Sequence, residues 1–445
     1  MVRRAYRHEL RSALTFPLAG SLAEGSFTGV IAAKNFGAGV VLMALITAAP
    51  MFGNIMAIVW SNVAMGRRKV PMVNALQLGV VLMIASVALC ALLPPAIAGW
   101  IFAAQIIIAR LLVSGIITIR STIWRANYPR SVRGQITSRI AVVAGTVLAT
   151  TTLLGSYLLD HDSRAFVFLY PGAALLGVIG IWQFSKIRVR REVLLIRAEE
   201  QLYAPRPESM SQTEEANVMN YAAPVARRSL IDLFRDAYRV LKEDKAFREY
   251  QRYQMLSGFS FMLFGPSLLY MVSTEMTDRR TQYMLATVVV QIIPMVVALA
   301  CQQLWAPLFD RVHVSVFRVY QVSISVAAQL LLFAGAISGN GMTALAIIAM
   351  AQVLVGASNA GGNLAWNLGH NDFAPAEKAA TYMGVHVMLT GVRGFIAPFL
   401  GSWLYLMPGI GRGIFGISAL VCLCALVGFV RMAGTRRRRR ERHRS

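Results

Sequence analysis

Long apolar runs alternate with short polar breaks along most of this 445-residue chain. A helix of about 20 apolar residues crosses a hydrocarbon core of about 30 Å, and windows of that length recur about twelve times. The pattern predicts spans at 13–33, 39–62, 71–93, 96–119, 136–159 and 165–185 in the first half. In the second half it predicts 253–273, 281–305, 315–337, 341–367, 379–405 and 412–432. The expected fold class is therefore an all-α polytopic membrane protein.

The spacing of the spans also divides the chain. We expect a six-helix bundle over 1–185, a cytoplasmic linker over 186–252, a second six-helix bundle over 253–432 and a basic tail over 433–445. A duplication supports the two-bundle reading. Pro129, Gly145, Leu154, Gly155, Ser156 and Leu158 recur 246 positions later as Pro375, Gly391, Leu400, Gly401, Ser402 and Leu404. Paired halves around a central site are a common transporter plan. Within the linker, 204–220 is rich in Pro, Ser, Gln and Glu, a composition that predicts no fixed structure. Leu230, Leu233, Phe234, Ala237 and Leu241 then recur at helical spacing, which describes an amphipathic helix, either at the membrane surface or as a cytosolic connector.

Composition and charge agree with a membrane setting. Hydrophobic residues make up 56% of the chain and its mean hydropathy is +0.55. A net charge of +23 could point to nucleic acid. Its placement decides otherwise: Arg3, Arg4, Arg7 and Arg11, then Arg67, Arg68 and Lys69, then Arg120, Arg125, Arg130, Arg133 and Arg139 fall on one side, with Arg311, Arg318 and Arg436 to Arg440. The other side holds little beyond Lys34, Arg164, Arg279, Arg280 and Arg412. This is the positive-inside bias, with both termini cytoplasmic and no nucleic-acid partner. The basic tail predicts contact with anionic membrane lipid. Cys90, Cys301, Cys422 and Cys424 all fall in spans and carry no metal-ligand spacing. The first apolar run is of full span length and reads as a retained helix rather than a cleaved signal.

Several of these features resemble the major facilitator superfamily: about twelve helices, a six-plus-six division, a long central linker and a basic loop after the second helix. The family's loop signature is a glycine, an aspartate four residues later and a basic run. Gly66, Arg67, Arg68 and Lys69 match its end, while Val63 stands at the aspartate position; Asp310 and Arg311 match the complementary part in the second half. The resemblance implies that these are gating loops, with Asp310 capping or pairing with a neighbouring helix end. Arg110, Ser114 and Gly115 resemble an arginine-glycine motif of the fourth helix. Ala397, Pro398 and Gly401 resemble the proline-glycine motif of drug antiporters, there carried by the fifth helix, where this chain has Thr151, Thr152 and Gly155.

Charges inside spans are rare because each costs about 2.5–3.5 kcal/mol on insertion scales. Glu24, Arg110 and Arg393 all fall near mid-span. Arg393 and Arg110 have Val147 and Gly356 as counterparts in the duplication, so packing symmetry does not explain them. One reading is a structural ion pair of Glu24 with Arg110, which leaves Arg393 over; the other is a substrate or coupling site with Glu24 exchanging a proton. His386 and Thr390 share a helical face with Arg393, and Gln352, Asn359, Asn363 and Trp366 share another; Thr287 and Gln291 form a weaker pair. Amides in a span serve either as interhelical ties or as ligand contacts.

No phosphate-cradling loop and no nucleophile-base spacing is present, so no enzyme activity, cofactor or metal is expected. The sequence thus predicts a secondary transporter in the cell membrane, the inner one if the source has two, moving a small solute by alternating access. Two midplane cations against one anion favour an anionic solute, and Glu24, as a carboxylate that could exchange a proton, makes protons the expected coupling ion. A drug or amphiphile exporter, a transporter-like sensor and a polytopic membrane enzyme stand as alternatives.

Overall fold

The computed structural model describes residues 2–201, 230–278, 281–375 and 379–442. The stretch 204–220 and the loop residues Arg279 and Arg280 lie outside them, as do the side chains of Leu230, Leu233, Phe234, Ala237, Arg130 and Arg436 to Arg440. The described chain is helical: α1 Val2–Ser21, α2 Gly25–Phe36, α3 Val40–Ala64, α4 Lys69–Ser86, α5 Pro95–Asn127, α6 Arg130–His161, α7 Phe166–Ser185 and α8 Glu192–Gln201. After the linker come α9 Leu230–Glu243, α10 Lys245–Met271, α11 Tyr283–Thr287, α12 Ile293–Arg311, α13 Val314–Ile337, α14 Met342–Leu368, α15 Ala379–Leu406 and α16 Ile414–Arg442.

Eleven helices among the described residues are long and apolar enough to cross a membrane. Their outward side chains are large and apolar, with Phe168 79% and Leu304 74% exposed, a surface suited to lipid rather than water. The first span departs from expectation. Instead of one helix over 13–33, the chain breaks at 22–24 between α1 and α2. The cause is visible at Gly25, whose φ is +74° and whose missing Cβ leaves room for Gln291: a Cβ there would sit 2.7 Å from Gln291 Oε1. Gln291 Oε1 accepts from Phe27 N at 2.6 Å, satisfying a backbone donor that the break frees. Two π-helical turns, Val272–Met276 and Val288–Ile292, interrupt the spans that precede and carry Gln291. Such turns often mark functional positions.

The chain forms two compact units. Unit 1 holds residues 1–24, 52–155 and 164–232; unit 2 holds 25–51, 156–163 and 233–445. In unit 1, α1 packs on α7 and α4 on both α5 and α7. Gly180 lets α7 close on α1, since a Cβ there would lie 2.6 Å from Phe16 N. In unit 2, α10 packs on α15 and α16, α14 on α12 and α13, and α13 on α16. Gly401 permits the α10–α15 contact: its Cβ position is 1.7 Å from Leu263 O, so any larger residue would drive the helices apart. The duplicated stretches form α6 and α15. A polar network explains why 25–51 and 156–163 join unit 2. Lys34 Nζ donates to Thr277 Oγ1 at 3.0 Å and Thr281 O at 2.9 Å, Asn35 Nδ2 to Ser163 O at 2.6 Å, and Ser156 Oγ to Thr287 Oγ1 at 2.8 Å. The Asp160 carboxylate accepts from the backbone N–H groups of Tyr283 and Met284 at the start of α11, where an anion opposes the helix dipole.

Candidate functional site

Unit 2 contains a cavity of about 580 Å³. Its apolar walls come from Met51, Phe261, Phe264, Leu269, Val290 and Met295, its bends from Pro266, Pro294 and Pro398. Five carboxamides face it: Gln291, Gln302, Gln352, Asn359 and Asn363. Among the described residues no ionisable side chain lines it. Two of the amides are buried with an unpaired atom, Gln291 Nε2 as donor and Gln352 Oε1 as acceptor. Leaving such groups unmade costs about 1–3 kcal/mol each, so they are poised for a ligand that offers both an acceptor and a donor. Mostly apolar walls with a few fixed polar groups are the usual make-up of a small-molecule pocket.

Glu24 and Arg110 meet within unit 1, with Glu24 Oε2 3.2 Å from Arg110 Nη1. Glu24 lies in the break after α1, and its side chain is 48% exposed against 12% for Arg110. The carboxylate is therefore the open member of the pair, while its cation is held in the helix packing. Gly53 on α3 makes room beside this part of α5, its Cβ position falling 3.1 Å from Ser114 Cβ and 3.5 Å from Arg110 O.

Arg393 and His386 are set apart from the cavity lining. His386, Thr390 and Arg393 form one buried face of α15. Arg393 Nη1 donates to Gln254 O at 2.9 Å, the guanidinium occupying the space left by Gly258. His386 Nδ1 meets the Gln251 amide at 3.2 Å, and Trp366 Nε1 donates to Thr390 Oγ1 at 3.3 Å. The sequence placed Trp366 with the cavity amides; the structure ties it instead to α15.

The basic loop has a partner that the sequence did not point to. Lys69 is buried, and its Nζ lies 2.6 Å from Glu199 Oε2 and donates to Ala64 O. Glu199 also accepts from Gly66 N at 2.9 Å, and Glu192 from Lys69 N at 3.1 Å, with Arg68 3.7 Å away. Two carboxylates of α8 thus supply the negative charge that Val63 cannot, and Glu192 caps α4 at its dipole-positive end. Gly66 turns the loop with φ +66°, while Arg67 is exposed. In the second half Asp310 and Arg311 are exposed at the end of α12. The cap expected of Asp310 comes from Asp372, whose Oδ2 accepts from Val314 N at 2.7 Å. Asp372 reaches that helix start from the turn after α14, a placement that spacing alone does not reveal.

Two further buried charges escaped the sequence reading. Glu9, 1% exposed, accepts from Arg120 Nε at 2.7 Å, Tyr128 Oη at 2.6 Å and Trp124 Nε1. Burial, with Glu9 beside it, pushes the Tyr128 phenol above its ordinary range. Arg318, counted above with the basic loops, is 3% exposed inside unit 2.

The fold and these sites can be set beside known proteins. The chain matches the family model of the Major Facilitator Superfamily over residues 14–398. None of the curated proteins matches it by sequence. Among solved structures, the nucleoside transporter NupG aligns with a TM-score of 0.63 at 14% identity, over 96% of this chain and 98% of that one. The xylose transporter XylE from E. coli, in an inward open conformation, aligns with a TM-score of 0.60 at 14% identity, over 96% and 94%. A POT family transporter in complex with 5-aminolevulinic acid gives 0.62 at 13% identity, over 97% and 96%. At such identities the likeness is one of fold. With the family model spanning most of its length and its helices apolar enough to cross a membrane, the chain is a multi-pass membrane protein that belongs to the Major Facilitator Superfamily.

Proposed function

We propose that this protein is a secondary carrier for a small, uncharged, hydrogen-bonding solute, bound in the unit 2 cavity and moved by alternating access. The observation that carries this reading is the lining itself: five carboxamides, no ionisable side chain, and an unpaired donor and acceptor at Gln291 and Gln352. A carboxamide can turn to present either its N–H or its C=O, so such a lining matches hydroxyls and amides but offers no counter-charge to a carboxylate. The sequence favoured an anionic solute from an excess of midplane arginines. That argument loses its basis, because Arg110 faces Glu24 and Arg393 is not among the cavity-lining residues.

Coupling falls to the Glu24–Arg110 pair. The pair sets a half-exposed carboxylate 3.2 Å from a largely buried guanidinium, and acidic side chains within membrane segments are the usual carriers of coupled protons. The basic loops and both termini are assigned to the cytoplasmic side by the arginine distribution, and the run of apolar spans divides the sequence into bundles at 1–185 and 253–432 around the linker. In the loop after α3 the Lys69–Glu199 contact serves as the gate that the family resemblance assigned to Gly66, Arg67, Arg68 and Lys69.

The direct test is a thermal-shift screen of purified protein against neutral polyols, nucleosides and amides beside matched carboxylates, since a ligand of the native state raises its apparent stability. A neutral solute should stabilise the protein, and Gln352→Leu should weaken the effect. Stabilisation by carboxylates alone would overturn the assignment of an uncharged solute.

A further inference from the structure

We propose that Arg318, Arg393 and His386 form a binding site for a small inorganic anion inside unit 2, separate from the solute cavity. Both arginines are buried, at 3% and 6% exposure, as is His386 at 2%. Arg318 and Arg393 lie within electrostatic reach of each other, and both, with His370, of His386. Among the described residues neither guanidinium takes part in an ion pair. The neutral oxygens that do meet them, Gln321 Oε1 at 2.7 Å from Arg318 Nη1 and Gln254 O at 2.9 Å from Arg393 Nη1, supply hydrogen bonds but no charge.

The atoms that remain carry the argument. Among the described residues Arg318 Nε and Nη2, Arg393 Nε, His386 Nε2 and His370 Nδ1 are all buried without a hydrogen-bond partner. His386 Nδ1 lies 3.2 Å from both Nε2 and Oε1 of the Gln251 amide, and in the tautomer that accepts from Gln251 Nε2 the ring proton sits on His386 Nε2 and adds a further donor to the cluster. Two uncompensated guanidinium groups in a low-dielectric interior are strongly unfavourable, whereas an anion among them would gain the attraction of both and several charge-assisted hydrogen bonds. Chloride and a small oxyanion share this chemistry. Gln251, which meets His386, also lines a cavity of about 660 Å³ together with Arg248 and Arg252, whose positive charge favours anions there.

The inference does not depend on the identity of the solute, and its test can fail separately from that of the proposed function. Full-length purified protein, in sodium gluconate at fixed ionic strength, is titrated with chloride, sulfate or inorganic phosphate while Tm is followed. We expect a saturable rise in Tm with at least one of the three, and the preferred one identifies the anion class. Gln321→Glu places a carboxylate where Arg318 already donates. Ser325 and Ser358, whose hydroxyls meet the Gln321 amide, can turn to donate to it. That variant should be more stable than the wild type in gluconate and should lose the anion response. Gln302→Leu, in the solute cavity, should keep the response unchanged. Absence of any anion effect in the wild type overturns the proposal, as does a normal response in Gln321→Glu. Loss of the response in Gln302→Leu would place the anion in the solute cavity and overturn it equally.

Discussion

The two units handle buried charge in opposite ways. In unit 1 every singled-out interior charge has a partner of opposite sign: Glu9 has Arg120, Arg110 has Glu24, and Lys69 has Glu199. In unit 2 the pairing occurs at the rim, as between Arg412 and Glu275 with side chains about a quarter exposed, while Arg318 and Arg393 sit deep inside with neutral partners. The difference bears on function because a buried paired charge chiefly fastens helices, the half-exposed Glu24 being the exception, whereas an unbalanced one is a standing demand for something mobile. Next to that demand, unit 2 keeps its solute cavity free of charge altogether.

If unit 1 uses its charges as fasteners, breaking them should be expensive in stability. The largest effect is expected at Glu9. Glu9→Leu strands the Arg120 guanidinium and removes the acceptor of Tyr128 and Trp124, and loss of one partner of a buried pair costs about 3–5 kcal/mol. Thermal unfolding of the purified variant, or its failure to accumulate in the membrane, measures this; a near-normal Tm would erase the contrast drawn above.

Lys69→Met should follow, at about 1.5–3 kcal/mol, because Glu199 loses a charge-assisted bond but keeps the Gly66 N–H. Pairing it with Glu199→Leu should recover part of the loss, and the double-mutant cycle reports the coupling directly. Additive losses would mean that α8 does not hold the loop.

In unit 2 the comparison predicts effects on binding rather than on folding. Gln352→Leu removes an acceptor that has no partner among the described residues, so Tm should barely move. Solute affinity should fall by roughly 5- to 150-fold, the range set by about 1–3 kcal/mol for one unsatisfied group. A variant that unfolds instead would make Gln352 an interhelical tie.

Much of this fold could be read from apolar run length. The predicted 165–185 became Phe166–Ser185, and 315–337 became Val314–Ile337, because a lipid-facing helix must be apolar over a fixed length whatever it packs against. The break in the first span could not be read so. It depends on Gly25 at φ +74° and on a side chain 264 positions away that accepts from Phe27 N. The amides at Gln291, Gln352, Asn359 and Asn363 were visible as polar residues in apolar surroundings, and the structure brings them to one cavity. Gln302 went unnoticed near a span end. Arg318 was concealed for a related reason: at the start of a span a buried arginine and a loop arginine look alike, and only its 3% exposure separates them. Glu192 and Glu199 were hidden in a polar linker, where nothing local marks a carboxylate that will meet a loop about 130 residues earlier.

The account rests on a separation of tasks, with an uncharged cavity in unit 2 holding the solute and the Glu24–Arg110 pair in unit 1 carrying the proton. Glu24→Gln keeps the shape and hydrogen-bonding capacity of the side chain but cannot release a proton. In reconstituted vesicles with an imposed pH gradient, we predict that this variant binds solute with wild-type affinity and exchanges it across the membrane, yet no longer accumulates it against its gradient. Undiminished uphill uptake by Glu24→Gln, or loss of solute binding together with uptake, would contradict it.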